Sequence, residues 1–142
     1  MQDTEYAFSH PSKSQASEIL EFWSVHAENH SRPEDSIELI HQLIDRDPEA
    51  LILATSKGKI VGTVIAGWDG WRGSIYRIAV DKNLKRSGLG RKLMEHAEER
   101  LKNLGANRIN AMVFEENVEA HPFYSRLGYS IQKDWRRWIK NI

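Results

Sequence analysis

Apolar residues along this chain recur at two periods, and the switches between them mark out the elements. Tyr6-Ala7-Phe8 predicts a short first strand, ended by the turn residues Ser9-His10-Pro11. Ile19, Leu20, Trp23 and Ala27 then recur at helical spacing, predicting a helix from Ser12 or Ser14 to about Ala27 with Ser14 as cap. Residues 28–32 are polar and read as a loop. Pro33 suits a first helical position, and Ile37, Ile40, Leu43 and Ile44 form the buried stripe of a second helix, stopped by Asp47-Pro48. Residues 50–55 and 59–66 are strand-like, with the hairpin turn Ser56-Lys57-Gly58 between them. A glycine-rich turn, 67–73, leads to a third strand, 74–80, and the short links predict an antiparallel meander.

Leu89, Leu93, Ala97, Leu101 and Leu104 return to the helical period, so a helix is expected over 88–104, closed by Gly105. Residues 107–114 predict a strand, reached from 74–80 by a right-handed crossover and therefore parallel to it. A short helix over 117–127, ended by Gly128, and a last strand over 129–139 complete the pattern. The order β-α-α-β-β-β-α-β-α-β predicts an α/β (α+β) fold, with a mixed, mainly antiparallel central sheet and helices on both faces.

Composition changes this picture little. The 142 residues suit one domain over 1–142, and 40% hydrophobic with 28% charged residues is ordinary for a globular protein. Twenty bases and twenty acids give zero net charge, so bulk attraction to nucleic acid or to a membrane surface is not expected. Cysteine is absent, which excludes disulfides, thiolate metal sites and a cysteine nucleophile. The first residues, Met1 to Glu5, lack a signal-peptide pattern, and no apolar run is long enough for a membrane span, so a cytoplasmic location is expected. The six histidines show no His-Glu-x-x-His motif, and no metal is expected.

Local charge is more informative. Lys82, Lys85, Arg86, Arg91 and Lys92 cluster between strand 74–80 and the helix that follows, with no acid between Lys82 and Leu93. Gly88 and Gly90 lie among them. Backbone N–H groups at a helix N-terminus, approached closely through glycine, make an anion site. The loop lacks the Gly-Lys-Ser/Thr ending of a P-loop. It also has Leu93 where a dinucleotide fingerprint needs its third glycine.

A second constellation lies further on, with Asn117, Phe123-Tyr124 and Gly128-Tyr129 on the short helix. Together with Lys85-x-x-Gly88-x-Gly90, it resembles the GNAT family of N-acetyltransferases over roughly residues 51–131. The turn and strand over 67–80 resemble a small bacterial subgroup of that family. The resemblance implies acetyl-CoA (coenzyme A) as co-substrate, with direct transfer of acetyl to a primary amine in a ternary complex. The acceptor would be a small-molecule amine, a peptide N-terminus or a lysine. Arg86, Ser87, Gly88, Gly90 and Arg91 would place backbone N–H groups around the pyrophosphate, and Lys85 and Leu89 would be cofactor-binding as well. Ile78, Ala79 and Val80 would pair with the pantetheine arm, a splay from strand 107–114 would admit it, and an N–H of Ala79 or Val80 would face the thioester oxygen. Lys85 departs from the family's usual glutamine or arginine and lacks the guanidinium fork.

Tyr124 matches the family's general acid for the departing thiolate, and Asn117 would cap its helix and lie near the coenzyme arm. An aliphatic amine is protonated at neutral pH and needs a base. Glu116 is the first carboxylate candidate, followed by Glu115 and Asp69, with a water relay as the alternative. Trp68 and Trp71 flank the 67–73 turn as candidates for an acceptor pocket, and Arg77 could attract a carboxylate-bearing acceptor or pair with a neighbouring acid. The last strand, with Trp135 and Trp138, offers a homodimer surface. Transfer of a longer acyl group and a catalytically inactive coenzyme A sensor or scaffold are the alternative readings.

Overall fold

A computed structural model describes residues 5–142; Met1–Thr4, part of the stretch read for a leader pattern, lie outside them. The described chain forms two compact units, one reaching Met112 and the other running from Val113 to Ile142.

The first unit is built on a five-stranded sheet in the order β1-β2-β3-β4-β5: Ala7–Ser9, Leu51–Ser56, Lys59–Trp68, Gly73–Val80 and Ile109–Ala111. The first four strands pair antiparallel and β5 joins β4 in parallel. The β2–β3 hairpin turns through Lys57 (φ 52°) and Gly58 (φ 78°), two left-handed residues whose twist matches the strands they join. The β3–β4 turn is shorter than predicted because Asp69 organises it. Its carboxylate accepts from the backbone N–H groups of Trp71 at 2.7 Å and Arg72 at 2.6 Å.

Helix α1, Ala16–His26, buries Ala16, Ile19, Phe22 and Trp23. It is introduced by a 3₁₀ turn at Lys13–Gln15, where Ser12 rather than Ser14 holds the cap position. The Ser12 N–H donates to Gln15 Oε1 at 3.1 Å, while the Ser14 hydroxyl only shares a hydrogen bond with the Ser12 hydroxyl. Helix α2 is Ile37–Arg46 and starts four residues after Pro33. The Ser36 hydroxyl accepts from the Leu39 N–H at 3.1 Å, and this cap outweighs the proline signal. These two helices pack on one face of the sheet, where Ile40 and Ile44 join Leu51, Leu53 and Ala79. Helix α3, Leu89–Leu104, covers the other face. Its Leu89 and Leu93 crowd Gly62 and its Leu101 crowds Gly73, so both strand glycines make room for the helix. Both α3 ends carry left-handed glycines, Gly88 (φ 85°) and Gly105 (φ 110°).

The predicted strand over 107–114 shrinks to Ile109–Ala111, because pairing with β4 ends at Ile75↔Ala111, just before an irregularity in β4. In the second unit, helix α4 is Ala120–Arg126. Asn117 does not cap it: its backbone carbonyl accepts from the Ala120 N–H at 3.1 Å, so a tight turn precedes the helix and Glu119 takes the cap position. Gly128 (φ 91°) ends α4, with the Gly128 and Tyr129 N–H groups returned to the carbonyls of Ser125 and Tyr124. The predicted last strand over 129–139 does not form. This segment has no partner strand among the described residues, and Ile131, Trp135, Trp138 and Ile139 are exposed. Among the described residues no helix is long and apolar enough to cross a membrane.

Candidate functional site

The site of interest begins at an extra residue in β4. Ile65 pairs with Tyr76 and Thr63 with Ala79, so Arg77 and Ile78 together oppose Val64 alone. This is a β-bulge, and Arg77 adopts φ 51° there. The extra residue reverses the alternation of faces. Gly73, before the bulge, meets α3, whereas Ala79, after it, joins the core under α1 and α2. Because β5 stops pairing at Ile75, the backbone of Ile78, Ala79 and Val80 carries no ladder on that side. β5 therefore offers no backbone partner to the three residues expected to meet a pantetheine arm.

A buried network holds the bulge. The Trp23 indole N–H donates to the Thr63 hydroxyl at 2.8 Å, and that hydroxyl donates to the Arg77 carbonyl at 2.8 Å. The Arg77 guanidinium lies 5.3 Å from the Trp23 ring centroid and reaches the segment between α1 and α2. There it donates to the Glu28 carbonyl at 2.8 Å, to Asn29 Oδ1 at 2.9 Å and to the Asp35 carboxylate, with which it forms an ion pair. Arg77 is thus engaged by a neighbouring acid rather than presented to a ligand. Asn29, Asp35 and Thr63 were not singled out from the sequence; the one signal for them was a charged residue inside an apolar strand.

Past Val80 the chain enters the basic loop. The Asp81 N–H donates to the Val61 carbonyl at 2.8 Å, and Asp81 Oδ1 accepts from the Asn83 N–H at 2.9 Å, opening a 3₁₀ turn at Lys82–Leu84. Lys85 closes that turn. Arg86 (φ 65°) and Gly88 (φ 85°) are left-handed and flank Ser87. The Ser87 N–H donates to the Leu84 carbonyl, and its hydroxyl accepts from the Leu89 N–H at 3.3 Å. A Cβ at Gly88 would meet nothing within 4 Å, so this glycine serves backbone conformation and open space rather than packing. The first turn of α3 contains no acid, and Arg91 is exposed beside half-buried Gly90. Leu89 is fully buried, which leaves only its backbone to face a ligand. Residues 78–80 thus lead, through the Asp81–Leu84 turn, to the 85–91 segment at the N-terminus of α3.

Trp68 and Trp71 lie at the other end of β4, roughly 20 Å along the strand from Val80. They do not line a pocket beside residues 78–80. Asp69 makes a poor base, because the hydrogen bonds from Arg72 and then Trp71 hold its carboxyl below the usual range.

Glu116, Asn117 and Tyr124 belong to the second unit. Glu115 and Glu116 are exposed in a turn. Tyr124 is buried, its ring edge-on to Phe123 and Tyr129 at centroid distances of 5.3 and 5.5 Å. Burial pushes its phenol up to about 12. Coenzyme thiols resemble cysteine, near 8.5, so full proton transfer from Tyr124 would be roughly 5 kcal/mol uphill. Such a phenol is suited to donate a hydrogen bond to a thiolate while keeping its own proton.

The first unit is thus a mixed sheet whose bulged fourth strand leads into a basic, glycine-marked helix start. The sequence comparison narrows this: residues 15–129 match the acetyltransferase (GNAT) family, and the chain belongs to that family. A relative named Acetyltransferase YE1169, from Yersinia enterocolitica, is 34% identical over 93 residues, and the match covers 66% of each chain. Among solved structures, Ard1 from Thermoplasma volcanium superposes with a TM-score of 0.77 at 21% identity, covering 89% of this chain and 84% of its own. A chain of the NatC complex bound to Gag peptide and CoA gives a TM-score of 0.77 at 20% identity, covering 91% and 87%. These two likenesses are likenesses of fold.

Proposed function

We propose that this protein is an acetyl-CoA-dependent N-acetyltransferase that moves acetyl directly from the thioester to a primary amine in a ternary complex. The observation that carries the reading is the β4 edge, released past Ile75 by the Arg77 bulge and running straight into the 85–91 loop. The Ile78–Val80 backbone would pair with the amide-bearing arm as an added strand does. The left-handed pair Arg86 and Gly88, and the first N–H groups of α3, would hold the pyrophosphate. An N–H of Ala79 or Val80 would stabilise the oxyanion that forms when the amine attacks the carbonyl. Glu116, or a water relay, would take the proton that the ammonium must lose. As the carbon–sulfur bond breaks, the electron pair goes to sulfur, and Tyr124 would donate a hydrogen bond to the resulting thiolate.

The acceptor would be a small-molecule amine, a peptide N-terminus or a lysine. The fold neighbour from the NatC complex bound to Gag peptide and CoA favours including peptides in a screen. A coenzyme A-binding sensor or scaffold without turnover is the second reading. Thermal unfolding with coenzyme A, followed by thiol release from acetyl-CoA across an amine and peptide panel, tests both. Stabilisation with turnover is expected, and propionyl- and succinyl-CoA in the same panel define the acyl length. Stabilisation without turnover would favour the sensor, and no stabilisation at all would remove the coenzyme assignment.

A further inference from the structure

His26 is the last residue of α1, and its ring packs on Phe22 at a centroid distance of 4.7 Å. It has no place in the reaction described above, yet it touches the start of the basic loop. The backbone N–H of Lys82 donates to His26 Nδ1 at 3.2 Å. With Nδ1 accepting, a neutral imidazole carries its proton on Nε2, which lies 3.9 Å from Asp81 Oδ2. The ring is only 16% exposed, and its tilted contact with Phe22 limits its rotation.

We infer that His26 is a positioning residue for the coenzyme loop, acting through the Lys82 N–H and not by touching the ligand. The inference rests on the reading of 85–91 as the pyrophosphate site. Two rigid elements hold the loop's first residues: β3 holds Asp81 through the Val61 carbonyl, and α1 holds Lys82 through His26. From there the Leu84 N–H returns to the Asp81 carbonyl and the Ser87 N–H to the Leu84 carbonyl, so the register of Lys82 is passed on to Arg86 and Gly88. N–H groups that must converge on one anion bind it better when their conformation is already fixed. Without the imidazole, the Lys82 N–H would lose its partner and the turn its anchor to α1.

The test uses the full-length chain, coenzyme A titrated by calorimetry, and three variants confirmed as folded by thermal unfolding. His26→Ala should weaken coenzyme A binding about three- to tenfold, the range for one hydrogen bond. His26→Asn places an oxygen where Nδ1 stands and should restore most of the affinity. His26→Gln places its oxygen where Nε2 stands and should not. In turnover assays the Ala and Gln variants should raise the KM for acetyl-CoA with kcat unchanged. Hydrogen exchange on the ligand-free protein should show faster exchange at Lys82 to Gly88 in the same two variants. Wild-type affinity in His26→Ala, or an Asn variant as weak as Ala, would overturn the inference. If the wild type itself binds no coenzyme A, the coenzyme reading of the loop fails. The exchange rates then still decide whether His26 orders Lys82, and unchanged rates would overturn that part as well.

Discussion

Arg77 meets two demands that usually call for different residues. Its φ of 51° lies in the region that favours glycine, yet its guanidinium makes three hydrogen bonds that glycine cannot make. Removing one partner of a buried ion pair costs more than the pair contributes, because the other charge is left behind. Arg77→Ala should therefore lose about 3–5 kcal/mol in urea unfolding, with Asp35 stranded. Arg77→Gly should be less damaging by about 1 kcal/mol, since it relieves the left-handed backbone. Arg77→Lys should fall between wild type and Ala, keeping charge but not the fork. Tyr124 gives a prediction in pH. Its phenol is held near 12 when folded and returns to about 10 when unfolded, so the folded state binds more protons between those values. Its contribution to stability is complete below pH 10 and is lost as pH rises towards 12. Tyr124→Phe should flatten that part of the stability curve and remove the highest-pH component of tyrosinate absorbance. It should lower kcat more than coenzyme A affinity; unchanged kcat would remove Tyr124 from the reaction.

Among the elements, the start of α2 shows how competing signals are resolved. Proline marks where a helix is allowed to begin, but a hydroxyl that satisfies an orphan N–H stabilises the beginning itself. Ser36→Ala should destabilise the protein by about 1 kcal/mol, whereas Pro33→Ala should change thermal unfolding little. At α3, Gly88→Val meets no neighbour within 4 Å but forces a β-branched residue into a left-handed φ of 85°, so it should cost about 1–2 kcal/mol and weaken coenzyme A binding severely. Near-normal binding by that variant would sink the pyrophosphate assignment. Helix α3 and strands β2 to β4 were legible because their apolar patterns are long and turn glycines at 58, 70 and 105 mark where they stop. The basic loop was legible for the same reason, since charge and glycine act locally. The β4 bulge was not, because it depends on the register between Thr63 and Ala79 and on a partner, Asp35, 42 residues from Arg77. The strand predicted over 129–139 failed because alternation specifies a face, while a strand also needs a neighbouring backbone to pair with.

At the scale of the molecule, zero net charge and a basic loop mean that the charge at 82–92 is offset elsewhere in the chain. Binding that depends on this loop should weaken with salt only as far as screening reaches, over about 10 Å at 0.1 M. The turn at Asp69–Arg72 offers something different. It stands at the end of β4 remote from Val80, Trp71 is 74% exposed there, and the chain has no thiol of its own. Trp71→Cys would create a single attachment point for a dye or a solid support, with the Asp69 turn still closed by backbone N–H groups that the substitution does not remove. Protein tethered through that position should bind coenzyme A as tightly as the free protein, measured by surface plasmon resonance against calorimetry. An amine and peptide library could then be screened on immobilised protein with the Val80 end of β4 facing the solution.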